Sequence, residues 1–113
     1  MENEKKFTVE FLSEARQFLA DLDVLTRDKV IYNLRKAQVT NNTKVFKKLR
    51  NDIWEFRTSY GGLQYRLLAF WDKRKPHQSL VIATHGFVKK TDEVPAKEIE
   101  KASQIKKQYF ATE

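Results

Sequence analysis

Residues 53–71 read IWEFRTSYGGLQYRLLAFW, and this stretch decides the fold. Gly61-Gly62 stands between two runs of alternating, β-rich sequence, a strong short-range hairpin signal. With a two-residue turn there, Tyr60 pairs with Leu63, Thr58 with Tyr65, and Arg57 with Arg66. Like charges directly opposite each other on a sheet are destabilising, so this pairing points to an anion as the missing third party. Side chains alternate with period 2. One face then carries Trp54, Phe56, Thr58, Tyr60, Leu63, Tyr65, Leu67, Ala69 and Trp71 and reads as core. The other carries Ile53, Glu55, Arg57, Ser59, Gln64, Arg66, Leu68 and Phe70. It is cationic near the turn and apolar further down, as expected of a sheet face covered at one end and open at the other. The alternative is a solvated face on which Glu55, diagonal to Arg66, bridges the two arginines.

Around this hairpin the charge is uneven. The chain has 113 residues and a net charge of +7. Residues 1–43 carry seven basic and seven acidic side chains, residues 44–75 nine and three, and residues 76–113 six and five. Nearly all of the excess therefore lies on the hairpin and its approaches, which points to nucleic acid or an acidic partner. The length suits one domain, residues 1–113. With 41% hydrophobic and 12% aromatic residues the chain has the material for a real core. Cysteine is absent, which excludes disulfides, a thiol nucleophile and cysteine metal sites. Two histidines, His77 and His85, do not make a convincing zinc site, so no metal and no cofactor are expected. No apolar signal region and no run of transmembrane length is visible, so a soluble, cytoplasmic protein with no membrane partner is the expectation.

The flanking sequence supplies the remaining elements. Phe7, Val9 and Phe11 alternate as a strand. Ser13 is a candidate helix N-cap, with Ala15, Phe18, Leu19 and Leu22 at helical spacing behind it. Thr26 is a candidate cap for a second helix, with Val30, Ile31, Leu34 and Ala37 as its buried stripe. Two antiparallel helices joined by a short loop follow. Residues 45–49 suit an edge strand, Asn51-Asp52 a turn, and residues 73–78 a polar loop. Residues 80–88 form an apolar run suited to a strand covered on both faces. A last helix starts at Pro95, a residue well suited to the first helical position, with Ile99, Ala102, Ile105 and Tyr109 on one side. Strands segregated from helices imply an α+β fold: a small, twisted, mostly antiparallel sheet packed by two N-terminal helices and a C-terminal helix.

Chemistry is concentrated in two places. Arg57 and Arg66 offer fixed forks of donors that grip phosphate and stabilise charge building in a transition state. Residues 85–91, HGFVKKT, put a histidine, an aromatic and two lysines at the end of a buried strand. His85 is a candidate general acid or base, or a hydrogen-bonded core histidine. Lys89 and Lys90 are candidates for phosphate contact, or a solvated pair. Lys47, Lys48 and Arg50 before the hairpin, with Lys44, form an electrostatic footprint, which Lys73 and Arg74 extend. Tyr60, beside the turn, is the aromatic best placed to meet a base. There is no glycine-rich phosphate loop, no G-x-S-x-G elbow and no H-E-x-x-H. Acidic residues are few in the central segment, which disfavours a magnesium-dependent nuclease.

As an ordered set, these motifs resemble the RelE/ParE superfamily of bacterial toxins, in its phage-derived, HigB-type branch. That branch shows a W-E-x-R strand, a Y-G-G turn, a Y-R-[IL] strand, an H-G-F-x-K-K-T segment and a Pro-started last helix. Here they are residues 54–57, 60–62, 65–67, 85–91 and 95 onward, within a strong span of residues 49–110. The N-terminal strand and helices agree in pattern only. One departure is Val94, where a small capping residue is usual before Pro95; it weakens the helix start by roughly 1 kcal/mol. The resemblance implies a toxin of a type II toxin-antitoxin system that cleaves mRNA, commonly on the translating ribosome, without a metal. Arg57 and Arg66 would hold the phosphate, with His85, Lys89 and Lys90 as candidates for proton transfer or charge neutralisation. Tyr60, Lys47, Lys48, Arg50, Lys73 and Arg74 would contact RNA. A neighbouring antitoxin of helix-turn-helix type would neutralise the toxin. Two other outcomes are open to the same fold: a ParE-like, non-catalytic inhibitor of DNA gyrase, and an inactive relative that still binds the antitoxin.

Overall fold

The structure is a computed structural model and describes residues 4–75 and 79–112. His77 and part of the expected polar loop lie outside the described residues. The elements in chain order are β1 (Thr8–Phe11), α1 (Ser13–Asp21), α2 (Val24–Val39), β2 (Phe46–Lys48), β3 (Trp54–Tyr60), β4 (Leu63–Asp72), β5 (Leu80–Lys89) and α3 (Ala96–Ala111). The five strands form one sheet in the order β1-β5-β4-β3-β2, antiparallel except for the β1–β5 pair. This is the α+β arrangement the sequence implies, with β2 at the expected edge.

Two tight turns set the frame of the site. Gly61 (φ 59°) and Gly62 (φ 79°) both occupy the left-handed region, the pattern of a two-residue turn that matches the twist of its strands. Tyr60 therefore pairs with Leu63, Thr58 with Tyr65 and Arg57 with Arg66, the register expected from the sequence. Asn51 and Asp52 (φ 59° and 58°) make a second such turn between β2 and β3. Asn and Asp tolerate this region better than other residues with a Cβ.

The sheet is covered on both faces. On one, α1 packs on β5 and α2 on β3, so each N-terminal helix lies on its own strand. Here Phe7, Phe46, Phe56, Leu67, Ala69, Val81 and Ala83 are buried, with Trp54 and Trp71 packed against them. The rings of Phe46, Trp54 and Phe56 stack at 4.8 and 4.4 Å. On the other face α3 brings Ile99 and Ala102 down on Ile53, Leu68, Phe70 and Ile82.

Helix starts differ in detail from the sequence reading. Asp23, not Thr26, caps α2: its carboxylate accepts from the Thr26 N–H at 2.8 Å, and Thr26 lies buried within the helix. Ser13 lies within α1, whose N-cap position is Leu12. At the other end of α1, Arg27 donates to the carbonyls of Leu19, Ala20 and Leu22, so a residue of α2 satisfies acceptors that the first helix leaves open. Pro95 takes the N-cap position of α3 with no side-chain cap, while Val94 packs against the second core.

The sheet has one irregularity. Leu68 pairs with His85, but Ala69 pairs with Ala83, so Thr84 is an extra residue in β5. A bulge of this kind changes which way the following side chains point. Val81 and Ala83 face the N-terminal helices, as alternation requires, but beyond Thr84 it is Val88 that packs on that side. Phe87 packs instead toward α3.

Candidate active site

The open end of the second face holds the paired arginines. Glu55, Arg57 and Arg66 alternate onto it, and Lys47 joins them because it pairs with Glu55 across the β2–β3 ladder. The bulge at Thr84 puts Lys89 on the same side. A cleft of about 340 Å³ runs between these strands and the segment leading into α3, lined by Lys47, Arg50, Glu55, Arg57, Lys89 and Asp92 among others. Leu49, Val94 and Ile99 close its apolar side.

Glu55 sits between the two arginines. Its Oε1 lies 3.1 Å from Nε of Arg66 and its Oε2 3.7 Å from Nε of Arg57. The bridging carboxylate is thus present, but the face is not solvated there: Glu55 and Arg66 are 4% and 2% exposed. The 3.1 Å approach is not aligned as a hydrogen bond, leaving Glu55 Oε1 and Arg66 Nε buried without one. Arg66 Nη1 donates to the carbonyl of Tyr65 at 3.0 Å. Arg57 is half-buried and presents its guanidinium at the cleft wall.

Electrostatics at the site follow from this crowding. Burial draws the Arg66 guanidinium below its ordinary value, and Glu55 works against that shift. Burial, then the nearby Arg66 and Arg57, lower the Lys89 ammonium from the usual lysine value. Lys89 is anchored by donating to the backbone carbonyl of Asp92 at 2.9 Å. A phosphate entering this cleft would meet the cations of Lys47, Arg50, Arg57 and Lys89 and the acids Glu55, Asp92 and Glu93, with Arg66 buried behind the wall. Among the described residues no group of three or more His, Cys, Asp or Glu is placed to hold a metal ion.

The remaining candidates fall elsewhere. His85 is 3% exposed and pinned beneath the first turn of α3. Its Nε2 lies 3.1 Å from Oε1 of Glu98 and its Nδ1 3.1 Å from the Thr84 hydroxyl. Burial lowers its basicity and Glu98 opposes the shift. It does not line the cleft, and its geometry is that of the hydrogen-bonded core histidine. Lys90 is exposed just past the strand. Tyr60 is 37% exposed at the hairpin tip, on the face opposite the arginines. Lys48 points away from Lys47, toward a separate cleft that also takes Lys73 and Arg74. Arg74 is bound to Asp72 at 2.7 Å and lies over the Phe110 ring. The residue that sequence reasoning underrates is Glu55; its signal was the diagonal relation to Arg66.

Comparisons with known proteins agree with the fold. The family model described as "Phage derived protein Gp49-like (DUF891)" matches residues 17–107. No curated protein matches the sequence. A chain in the crystal structure of the toxin-antitoxin complex RelBE2 from Mycobacterium tuberculosis is similar in structure, with a TM-score of 0.53 and 22% sequence identity. The match covers 74% of this chain and 99% of that one.

Proposed function

We propose, starting from the fact that this chain belongs to the phage-derived Gp49-like family, that it is the toxin of a toxin-antitoxin pair and cleaves mRNA on the translating ribosome. The observation that carries this reading is a cleft lined by Arg57, Lys89, Lys47 and Arg50, with Arg66 buried directly opposite Arg57 on the neighbouring strand. In this mechanism Arg57 holds the scissile phosphate, and Arg66, buried opposite it, adds positive charge to the site. The 2′-hydroxyl gives up its proton to solvent water as its oxygen attacks the adjacent phosphorus, forming a 2′,3′-cyclic phosphate while the bond to the 5′ oxygen breaks. Lys89, its basicity lowered by burial and two guanidiniums, gives the leaving 5′ oxygen a proton. Glu55 holds Arg66 in place, and no metal takes part. Lys47 and Arg50 line the same cleft and guide the flanking phosphates, with Lys90 just outside. Tyr60 contacts RNA or the ribosome from the hairpin tip. His85 joins β5 to α3. A cognate antitoxin, of helix-turn-helix type, is the natural partner, and both act in the cytoplasm, where ribosomes are.

Primer extension on mRNA incubated with ribosomes and purified protein tests this. New 5′ ends are expected with the wild type. Arg57→Ala should lower their yield about 100-fold or more, the usual cost of losing one preorganised donor to a developing charge, while leaving the thermal melt nearly unchanged. Arg66→Ala should abolish them. Intact mRNA together with inhibition of gyrase supercoiling would replace this reading with the non-catalytic one.

A further inference from the structure

A second cleft, larger than the one holding Arg57, lies at the other end of the sheet, and its lining is not used by the mechanism above. It measures about 890 Å³ and forms where β3 begins and β4 ends, closed by the C-terminal half of α3. Its cations are Lys48, Lys73, Arg74, Lys75 and Lys106. Its two acids, Asp52 and Asp72, are already paired, with Lys48 at 3.3 Å and Arg74 at 2.7 Å. Among the described residues Lys73, Lys75 and Lys106 form no ion pair, so three positive charges surround the opening. Trp54 and Trp71 line it as well, set edge to face with ring centroids 5.9 Å apart.

We propose that this cleft is a second RNA-binding site that takes a single strand, its bases against Trp54 and Trp71 and its phosphates on Lys73, Lys75 and Lys106. The inference rests on reading the chain as a protein that acts on RNA. Aromatic surface ringed by cations is the chemistry of sequence-tolerant single-strand binding, because every base has a π-face and every linkage a charge. A duplex buries its bases and cannot use the tryptophans, and an acidic polypeptide has no use for them. The two clefts also lie within one strand's reach. Trp54 and Arg57 are three residues apart on β3, about 10 Å at the strand's rise per residue. Alternation along β2 sends Lys47 to one cleft and Lys48 to the other. A strand held here would be anchored away from the scissile phosphate, so that affinity does not depend on the reacting groups.

The chain supplies its own reporter, since Trp54 and Trp71 are its two tryptophans. The experiment titrates intrinsic fluorescence with a single-stranded 2′-O-methyl oligoribonucleotide, which cannot be cleaved, and follows anisotropy of the labelled strand in parallel over a range of salt. Saturable quenching is expected in the wild type. In Lys73→Gln/Lys75→Gln/Lys106→Gln, checked for an unchanged melt, quenching should be lost. The slope of log K against log salt should also fall by about 2, three contacts at roughly 0.7 each. Anisotropy showing binding while tryptophan emission stays constant would overturn the proposal, as would equal quenching by duplex RNA or by polyglutamate. The latter would make the cleft a face for an acidic polypeptide. Cleavage by primer extension is scored separately, so loss of this site and loss of the cleavage reading give different patterns.

Discussion

At the scale of the residue, Glu55 and Arg66 are the most consequential pair in the molecule. Each is almost fully buried, and each depends on the other for charge compensation. Removing one partner of a buried ion pair strands the other, which typically costs about 3–5 kcal/mol, more than the pair itself contributes. Glu55→Ala should therefore lower stability by about 3 kcal/mol or more, read as a shifted urea midpoint, while Glu55→Gln should cost clearly less because it keeps the volume and leaves an amide oxygen dipole facing the Arg66 guanidinium. The diagonal relation of these residues was legible in the sequence, since it needs only the turn and period 2. Their burial was not, because it depends on how the strands and the segment leading into α3 pack around this end of the sheet. His85 shows the opposite case. Its type suggested proton transfer, but a histidine's role depends on what faces its two nitrogens, and here Glu98 and Thr84 do.

At the scale of the element, strand β5 and helix α1 are fitted to each other through Gly86. A Cβ at this position would overlap the ring of Phe18, so glycine is required here by packing. Gly86→Ala should cost about 1–3 kcal/mol, the usual range for an overpacked core. Phe18→Leu should rescue part of that loss, so that the double variant is more stable than the sum of the singles predicts, measured as a coupling energy in a double-mutant cycle. The same strand carries the bulge at Thr84, and this irregularity brings Lys89 to the arginines. Plain alternation from Ala83 would have turned residue 89 toward the N-terminal helices. A Thr-His-Gly run inside an apolar strand marked that something interrupts it. It did not say in which direction the side chains beyond it would turn, because a bulge is settled by pairing with the neighbouring strand.

At the scale of the whole molecule, the excess positive charge is divided between two clefts by the sheet itself. The acidic groups that remain inside tie α3 to the sheet: Asp72 accepts from Arg74 and from the Tyr109 hydroxyl, and Glu98 faces His85. These contacts make stability depend on pH in a definite direction. His85 has its basicity lowered from the ordinary 6.5 by burial, so on acidification the unfolded chain takes up this proton first. Its contribution is complete above about pH 6.5 and is lost progressively below it. Hydrogen bonding from Arg74 holds the Asp72 carboxyl far below its ordinary 3.8, which adds a further loss below about pH 4. The urea midpoint should therefore fall between about pH 7.5 and about pH 5.5, and His85→Gln should flatten that fall. A midpoint that rises on acidification in this window would reverse the assignment.

The sequence by itself determined the hairpin, its register and the facing arginines, because a Gly-Gly turn and a two-residue period are local and leave one solution. It determined the α+β class and the location of the charge for the same reason: each is a sum over nearby residues. Tertiary structure decided which of those charges share a cleft. Lys47 and Arg50 share a cleft with Arg57, Lys48 and Lys73 do not, His85 is covered by α3, and Lys89 arrives through a bulge. Each of these outcomes depends on which element packs over which face, and that is set by the shape of the whole core.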